Sequence, residues 1–141
     1  MTVHFIVHDE GDSVGVVVVE GLNARHLTPA DLPDLAGGAR IATVDVSFIS
    51  LALILPALAT IVTPDADVVA LVKPQFEAGR KDSPKGIVRD PAVHARVQAE
   101  VTAKAAAIGW TRVAVTPSPI VGAKGNREFL MHLRLAPRVQ A

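Results

Sequence analysis

Three ionisable residues lie at the ends of apolar, strand-like segments of the chain. Asp45 and Lys73 each directly follow an apolar run, and Glu128 begins an alternating apolar segment that continues to Leu135. Pro74, directly after the lysine, prevents a central strand from continuing. If the three strands are neighbours in one sheet, the three side chains meet at one of its edges. In open α/β sheets, ligands bind at the carboxyl ends of the strands.

A lysine between two carboxylates permits two interpretations. Neighbouring carboxylates favour the charged ammonium, whereas removal from water favours the neutral amine, which can act as a base. In a catalytic site, Asp45 and Glu128 would orient Lys73. The alternatives are a structural salt-bridge network at the sheet edge or, for the lysine alone, an ordinary solvated side chain.

Strand-like and helix-like segments alternate along the sequence. Capping residues predict helices after Thr28, Ser50 and Asp90, and Pro64-Asp65 predicts a turn. The strands predicted at 3–7 and 14–19 form either a hairpin or two unrelated strands. Apolar or alternating runs predict strands at 3–7, 14–19, 41–45, 68–73, 110–116 and 128–135. This order predicts an α/β fold with a largely parallel sheet and a C-terminal antiparallel hairpin formed by the last two strands.

The composition excludes several classes of function. A chain of 141 residues is one domain by length, and its fourteen basic residues balance its fourteen acidic ones. There is therefore no overall attraction to nucleic acid or to an anionic membrane. The absence of cysteine excludes disulfides and thiolate chemistry and fits a reducing cytoplasm. The five histidines are scattered and predict no metal site.

The apolar stretch from 41 to 62 contains one charged residue, Asp45. Its length approaches the roughly 20 residues that cross a bilayer. Strand character at its start and the capping serines Ser47 and Ser50 favour a buried strand followed by a buried helix. Membrane insertion is the alternative.

Two further features suggest binding. Glu20 closes the second strand, and an acidic residue at that position commonly accepts hydrogen bonds from ribose hydroxyls; the alternative is an ordinary exposed glutamate. The segment from Glu77 to Arg89 is polar, with four cations and two acids, and predicts a long surface loop. Loops of this length are usually functional or disordered.

Several motifs together resemble the TlyA family. They are Asp45-Val-Ser-Phe-Ile-Ser-Leu, Leu71-Val-Lys73-Pro-Gln-Phe-Glu77, Ser118-Pro-Ile and Gly125-Asn-x-Glu128-Phe-Leu, in that order. The family comprises bacterial ribosomal RNA 2′-O-methyltransferases, often labelled haemolysins, with an FtsJ-like Rossmann methyltransferase domain. The resemblance extends from about Val14 to Leu135 and implies methylation of a ribose 2′-hydroxyl with S-adenosylmethionine as donor.

The resemblance also implies roles for individual residues. Of the Lys-Asp-Lys-Glu tetrad that surrounds the hydroxyl in such families, Asp45, Lys73 and Glu128 correspond here, and Lys73 would help to deprotonate the hydroxyl. Glu20 would hold the ribose of the cofactor. The partner would be ribosomal RNA or a ribosomal subunit, in the cytoplasm. Loop cations would contact RNA phosphates: Arg80, Lys81, Lys85 and Arg89.

Other parts of the sequence depart from the family. The first tetrad lysine, the glycine-rich cofactor loop and the N-terminal S4-type RNA-binding domain have no counterpart, and 1–12 does not look like the family. We therefore expect residues 1–141 to form a partial FtsJ-like domain that lacks its first strand. Its sheet would expose apolar residues unless 3–7 replaces that strand or another chain covers it, which predicts self-association through the exposed region.

These departures leave two functions open. One is a TlyA-like RNA methyltransferase. The other is a truncated, inactive paralogue that retains only the fold or a role in binding RNA or a partner. The order of the motifs disfavours an unrelated α/β binding domain.

Overall fold

The computed structural model describes residues 22–33 and 37–137, together with the backbone of the strands at 2–8 and 14–20. These two strands, β1 (Thr2–His8) and β2 (Val14–Glu20), pair antiparallel and form a two-stranded sheet. The hairpin interpretation of this region is therefore confirmed. Because β1 pairs with β2 and has no place in the larger sheet, the segment 3–7 does not replace the first strand of that sheet.

The larger sheet has four strands, in the order β3-β4-β6-β5. β3 is parallel to β4, while β6 is antiparallel to both β4 and β5. Three strands therefore share one direction, and the α/β fold and the C-terminal hairpin are confirmed. The expectation of a largely parallel sheet was wrong for the pairings, because β6 lies between β4 and β5 and only the β3–β4 pairing of this sheet is parallel. The last strand, however, lies inside the sheet, between β4 and β5. The strands are β3 (Ala39–Val44), β4 (Val62–Val72), β5 (Trp110–Pro117) and β6 (Phe129–Leu135).

The helices are α1 (Leu51–Leu58), α2 (Pro74–Glu77) and α3 (Pro91–Ala107). Ser50 caps α1 by accepting a hydrogen bond from the Ala52 backbone, and Asp90 caps α3 in the same way. The helices predicted after these two residues are confirmed. The apolar stretch 41–62 thus divides into a strand and a short helix, and in the described part of the chain no helix is long and apolar enough to cross a membrane.

Two local predictions were wrong. The helix expected after Thr28 is a single 3₁₀ turn at Pro29–Asp31. It ends there because Pro33 disfavours a helical conformation of the preceding Leu32, which has φ −132 and ψ 62. The turn expected at Pro64-Asp65 lies inside β4. The strand bulges there. The register pairs Ala39 with Val62 and Ile41 with Asp67, so an advance of two residues along β3 corresponds to an advance of five residues along β4.

Helices α1 and α3 pack on one face of the sheet. Side chains alternate along β4 and β6, so that Val68, Val72, Met131 and Leu133 are fully buried on that face. Trp110 at the start of β5 is also buried, and its indole N–H donates to the carbonyl oxygen of Leu55 at 3.3 Å. This core fixes α1 and α3 against the strands whose ends carry the candidate site.

We expect Trp110→Ala to lower the free energy of unfolding by about 3–5 kcal/mol, because it leaves a large cavity beneath α1. Urea denaturation followed by circular dichroism measures this, since the chain's one tryptophan is removed. Val113→Ala is the control, because Val113 lies on the same strand and is half exposed. A similar loss in both variants would contradict the placement of Trp110 in the core.

Candidate functional site

The strand order brings the three predicted residues to one edge of the sheet. Asp45 follows β3 and Lys73 follows β4, and these strands are parallel neighbours. β6 pairs antiparallel with β4 in a register that sets Val72 opposite Phe129. Continuing this register by one residue sets Lys73 opposite Glu128. The strand order and register therefore bring the three positions to one edge of the sheet.

Lys73 forms an ion pair at this edge. Its Nζ lies 2.6 Å from Asp45 Oδ1 and donates a hydrogen bond to Ser47 Oγ at 3.1 Å. The lysine side chain is 13% exposed, whereas that of Asp45 is 70% exposed. Two of the three ammonium hydrogens are thus engaged, and one remains for a ligand. The lysine is held in place by a partner that faces solvent.

Glu128 is buried, at 7% exposure. Its Oε2 accepts a hydrogen bond of 2.8 Å from Gln75 Nε2. No ion pair joins it to Lys73 within the described residues, so the expected direct contact between this carboxylate and the lysine is absent. The carboxylate lies so close to Gly122 that a Cβ there would overlap it.

An aromatic pair lies beside the ion pair. The rings of Phe48 and Phe76 are 4.8 Å apart between centroids and tilted by 52°. Phe48 is 89% exposed and has φ 63, a left-handed conformation that is costly for a residue other than glycine. Such strain persists where the surroundings impose it, often at functional sites. Sequence reasoning missed this pair, although both residues lie within the family motifs.

Glu77 connects the site to α1. Its Oε2 accepts from the Ser50 hydroxyl at 2.7 Å, and its Oε1 accepts from the Leu51 backbone N–H at 2.9 Å. The carboxylate therefore satisfies groups at the N-terminus of α1. Burial raises the pKa of Glu77 above its ordinary value, while the hydrogen bonds from Leu51 and Ser50 act in the opposite direction.

The predicted surface loop follows α2 and contains two 3₁₀ turns, Arg80–Asp82 and Pro84–Gly86. Asp82 ties the first turn to α3 through an ion pair of 2.8 Å with Arg96. The four cations assigned to RNA binding in this loop are exposed: Arg80, Lys81, Lys85 and Arg89.

Asn126 fastens this loop to the connection between β5 and β6. It is almost completely buried. Its side chain accepts from the Val88 N–H at 3.0 Å and donates to the Gly86 carbonyl at 2.9 Å. Lys124 adds a bond of 2.9 Å to the carbonyl oxygen of Lys85. Sequence reasoning included Asn126 in a family motif without giving it a role and did not single out Lys124; both hold the cationic loop beside Glu128.

The remaining predictions concern the cofactor and metals. Glu20 is the last residue of β2, as expected, but its side chain lies outside the described residues. Across the described ranges, no cluster of three or more histidine or acidic side chains could hold a metal ion.

An α/β sheet edge that carries a partly buried lysine and two carboxylates is typical of a Rossmann-like domain with a site at its strand ends. The family model for FtsJ-like methyltransferases matches residues 4–135. The chain belongs to this family, and its resemblance to TlyA proteins is confirmed by its curated relatives.

Two relatives show the extent of the match. The chain is 46% identical over 120 residues to the 16S/23S rRNA (cytidine-2′-O)-methyltransferase TlyA of Mycobacterium tuberculosis, which covers 84% of this chain and 44% of the relative. It is 54% identical over 119 residues to YqxC of Bacillus subtilis, provisionally named an rRNA methyltransferase, with coverage of 84% and 42%. The chain thus spans less than half the length of these relatives.

Solved structures agree with the fold. A protein of Streptococcus thermophilus, provisionally named a hemolysin, has a TM-score of 0.77 and 48% identity, covering 82% of this chain and 41% of that one. A 16S rRNA (adenine(1408)-N(1))-methyltransferase mutant of Catenulisporales acidiphilia, solved with SAM, has a TM-score of 0.53 and 17% identity, covering 89% and 63%. The latter likeness concerns the fold alone.

The raised pKa of Glu77 predicts a pH dependence of stability. Because the folded state holds this proton more tightly than the unfolded state, the contribution of Glu77 to stability is fully present below the ordinary pKa of a glutamate, 4.5, and falls as pH rises above it. Glu77→Gln removes this titration. As pH rises, the free energy of unfolding of the wild-type protein should therefore fall relative to that of the Glu77→Gln variant. Urea denaturation at several pH values measures it. Asp65→Asn, at an exposed position of β4, is the control, and an equal shift in both variants would contradict the assignment.

Proposed function

We propose that this chain carries the RNA-side chemistry of a TlyA-like ribosomal RNA 2′-O-methyltransferase, with Lys73 as the base for the ribose hydroxyl. The observation that supports this most strongly is the ion pair between Asp45 and Lys73, whose side chain is only 13% exposed, at the carboxyl ends of two parallel strands. A surface ion pair would not need a lysine so far removed from water.

The described residues suggest how the hydroxyl is activated. For Lys73 to act as a base, its ammonium first gives a proton to water. The resulting amine then accepts the proton of the 2′-hydroxyl, and the oxygen keeps the electron pair with which it attacks a methyl group. Asp45 and Ser47 then accept hydrogen bonds from the resulting ammonium. Glu128, held by Gln75, fixes the opposite side of the hydroxyl's position. Positioning of this kind lowers the barrier because the reacting atoms are already aligned.

The methyl donor implied by the family is S-adenosylmethionine, which supplies an electrophilic methyl group. Glu20 is the candidate for its ribose. The described residues do not include a glycine-rich turn between a strand and a helix, which a nucleotide cofactor usually needs for close approach of the backbone. Donor binding by this chain is therefore a separate part of the proposal, and calorimetry at about 1 mM S-adenosylmethionine tests it. Absence of heat would exclude catalysis by the chain alone.

The RNA partner is supported by two exposed surfaces of the chain. The exposed loop cations provide contacts for phosphates, which position RNA without reading its sequence. The exposed ring of Phe48 provides an apolar plane on which an unstacked base can lie. Ribosomal RNA or a ribosomal subunit, in the cytoplasm, is the partner we propose. Self-association through the sheet face that carries exposed Ile41 stays a prediction.

Lys73→Met should lower kcat for methyl transfer to ribosomal RNA by at least about 10²-fold, because it removes the base while keeping a side chain of similar length. Transfer of a labelled methyl group measures this, with Lys104→Met at an exposed position of α3 as the control. Equal rates in wild type and Lys73→Met would refute the role of Lys73. Absence of transfer by the wild-type chain would favour the inactive paralogue.

Replacing Arg80, Lys81, Lys85 and Arg89 with alanine should weaken binding of an rRNA fragment and flatten its salt dependence. Removing one phosphate contact reduces the slope of log K against log salt by about 0.7 for single-stranded RNA. Fluorescence anisotropy at several salt concentrations measures both effects. Arg40→Ala is the control, because this exposed arginine lies at the opposite end of β3. An unchanged slope in the fourfold variant would place the RNA elsewhere.

A further inference from the structure

The connection between β5 and β6 carries an exposed apolar tip, which consists of Ile120 and Val121. Their side chains are 74% and 65% exposed. Single exposed apolar residues are ordinary on a protein surface, whereas contiguous exposed apolar surface more often marks an interaction. Neither residue takes part in the activation of the hydroxyl proposed above. The apolar tip therefore calls for an explanation of its own.

Backbone hydrogen bonds hold the apolar tip on both sides. The Ser118 N–H donates to the Glu128 carbonyl oxygen at 2.8 Å, and the Gly122 N–H donates to the Asn126 carbonyl oxygen at 2.7 Å. Between these two bonds, the Ile120 N–H donates to Ser118 Oγ at 3.4 Å. A loop that is already fixed at both ends loses little further conformational entropy when a partner binds. The apolar tip is thus prepared for contact with a partner.

The apolar tip lies next to the strand-end site. Gly122, which follows Val121, has no room for a Cβ because the Glu128 carboxylate occupies that space. Consecutive Cα atoms are about 3.8 Å apart, so the Ile120 Cα lies within about 8 Å of the Gly122 Cα. The apolar tip therefore borders the edge of the sheet at which the reacting hydroxyl would bind.

The charges around the apolar tip indicate the kind of partner. From 118 to 127 the sequence has two cations, Lys124 and Arg127, and no acidic residue, and both cations are exposed. Lys124 also joins this connection to the cationic loop through the Lys85 carbonyl oxygen. An apolar tip among cations fits a polyanion that also offers apolar surface. RNA has both properties, because its phosphates are charged and the faces of its bases become accessible where stacking is interrupted.

We infer that Ile120 is a positioning residue, which enters the base stack of bound RNA beside the target nucleotide and holds that stack open. This inference rests on the proposed function, because it takes RNA as the partner. Proteins that open base steps insert apolar side chains of this kind, isoleucine among them. An interrupted stack lowers the cost of moving the target nucleotide out of the helix, so that its ribose can reach Lys73.

The first experiment needs neither S-adenosylmethionine nor catalysis. Copies of one rRNA fragment carry 2-aminopurine at different positions, and this base fluoresces strongly only when it is unstacked. The wild-type chain should raise the fluorescence at one position, and Ile120→Ser should abolish the rise. Ile108→Ser is the matched control and should keep the rise, because Ile108 is also exposed but lies at the end of α3. Equal fluorescence with wild type and Ile120→Ser would overturn the inference, as would the lack of a rise at every position.

The second experiment separates opening of the stack from a merely structural effect. Ile120→Ser should lower kcat/KM for methyl transfer by about 10-fold or more, because unstacking is costly and the variant no longer contacts the opened bases. A second fragment has an abasic nucleotide at the position of the fluorescence rise, so its stack is already interrupted. On this fragment the rates of wild type and Ile120→Ser should become equal. The same loss on both fragments would overturn the inference.

The outcomes distinguish this inference from the proposed function. A fluorescence rise that depends on Ile120, in a chain that transfers no methyl group, would support the role of Ile120 and count against catalysis. Equal transfer rates of wild type and Ile120→Ser on the unmodified fragment would overturn the role of Ile120 and leave the methyltransferase intact.

A lipid surface is the other partner that a cationic, apolar tip fits. Sedimentation of the chain with phosphatidylglycerol vesicles tests this partner. Vesicle binding that is lost in Ile120→Ser, together with unchanged 2-aminopurine fluorescence, would place the apolar tip at a membrane and overturn the inference. Absence of vesicle binding by the wild-type chain, together with a fluorescence rise that depends on Ile120, would support RNA as the partner.

Discussion

The antiparallel pairing of β6 with β4 is the constraint on which the rest of the site depends. The last strand inserts between two parallel strands and sets Val72 opposite Phe129. A register shift of one residue would turn every buried side chain of β6 towards the other face, so the core and the site are fixed together. The same pairing brings Glu128 and Lys73, 55 positions apart in sequence, to adjacent places on one edge.

The segment after β4 converts this edge into a site. Pro74 ends the strand and starts the single turn of α2, and the side chains around it then diverge to separate partners. Lys73 contacts Asp45 and Ser47, which follow β3, Gln75 contacts Glu128, and Glu77 caps α1. A short turn with this many tertiary contacts has little freedom to move, which suits a site that must hold reacting atoms in line. The cost is visible in the buried Gln75 Oε1, which has no hydrogen-bond partner among the described residues, and in a strained phenylalanine.

Much of the fold could be predicted from the sequence because its signals are local. Caps at Ser50 and Asp90 defined α1 and α3, and alternation defined β6. Predictions failed where tertiary contacts overrode local preference. Pro64-Asp65 has the composition of a turn, yet it is absorbed as a bulge of β4. Of the site, the motifs supplied the three ionisable residues, but they could not show that Gln75 holds Glu128, since an amide side chain has no distinctive spacing.

The sequence by itself determined which chemical groups the site can use and their order along the chain. These are a lysine and two carboxylates at strand ends, a cationic loop, and helices with capping residues. Only the tertiary structure decided which of them touch. It paired Lys73 with Asp45, joined Glu128 to Gln75 and fastened the cationic loop through Asn126. The physical reason is that side-chain type follows from the sequence, whereas contact requires a strand order and a register, and these are set by burial of the whole sheet.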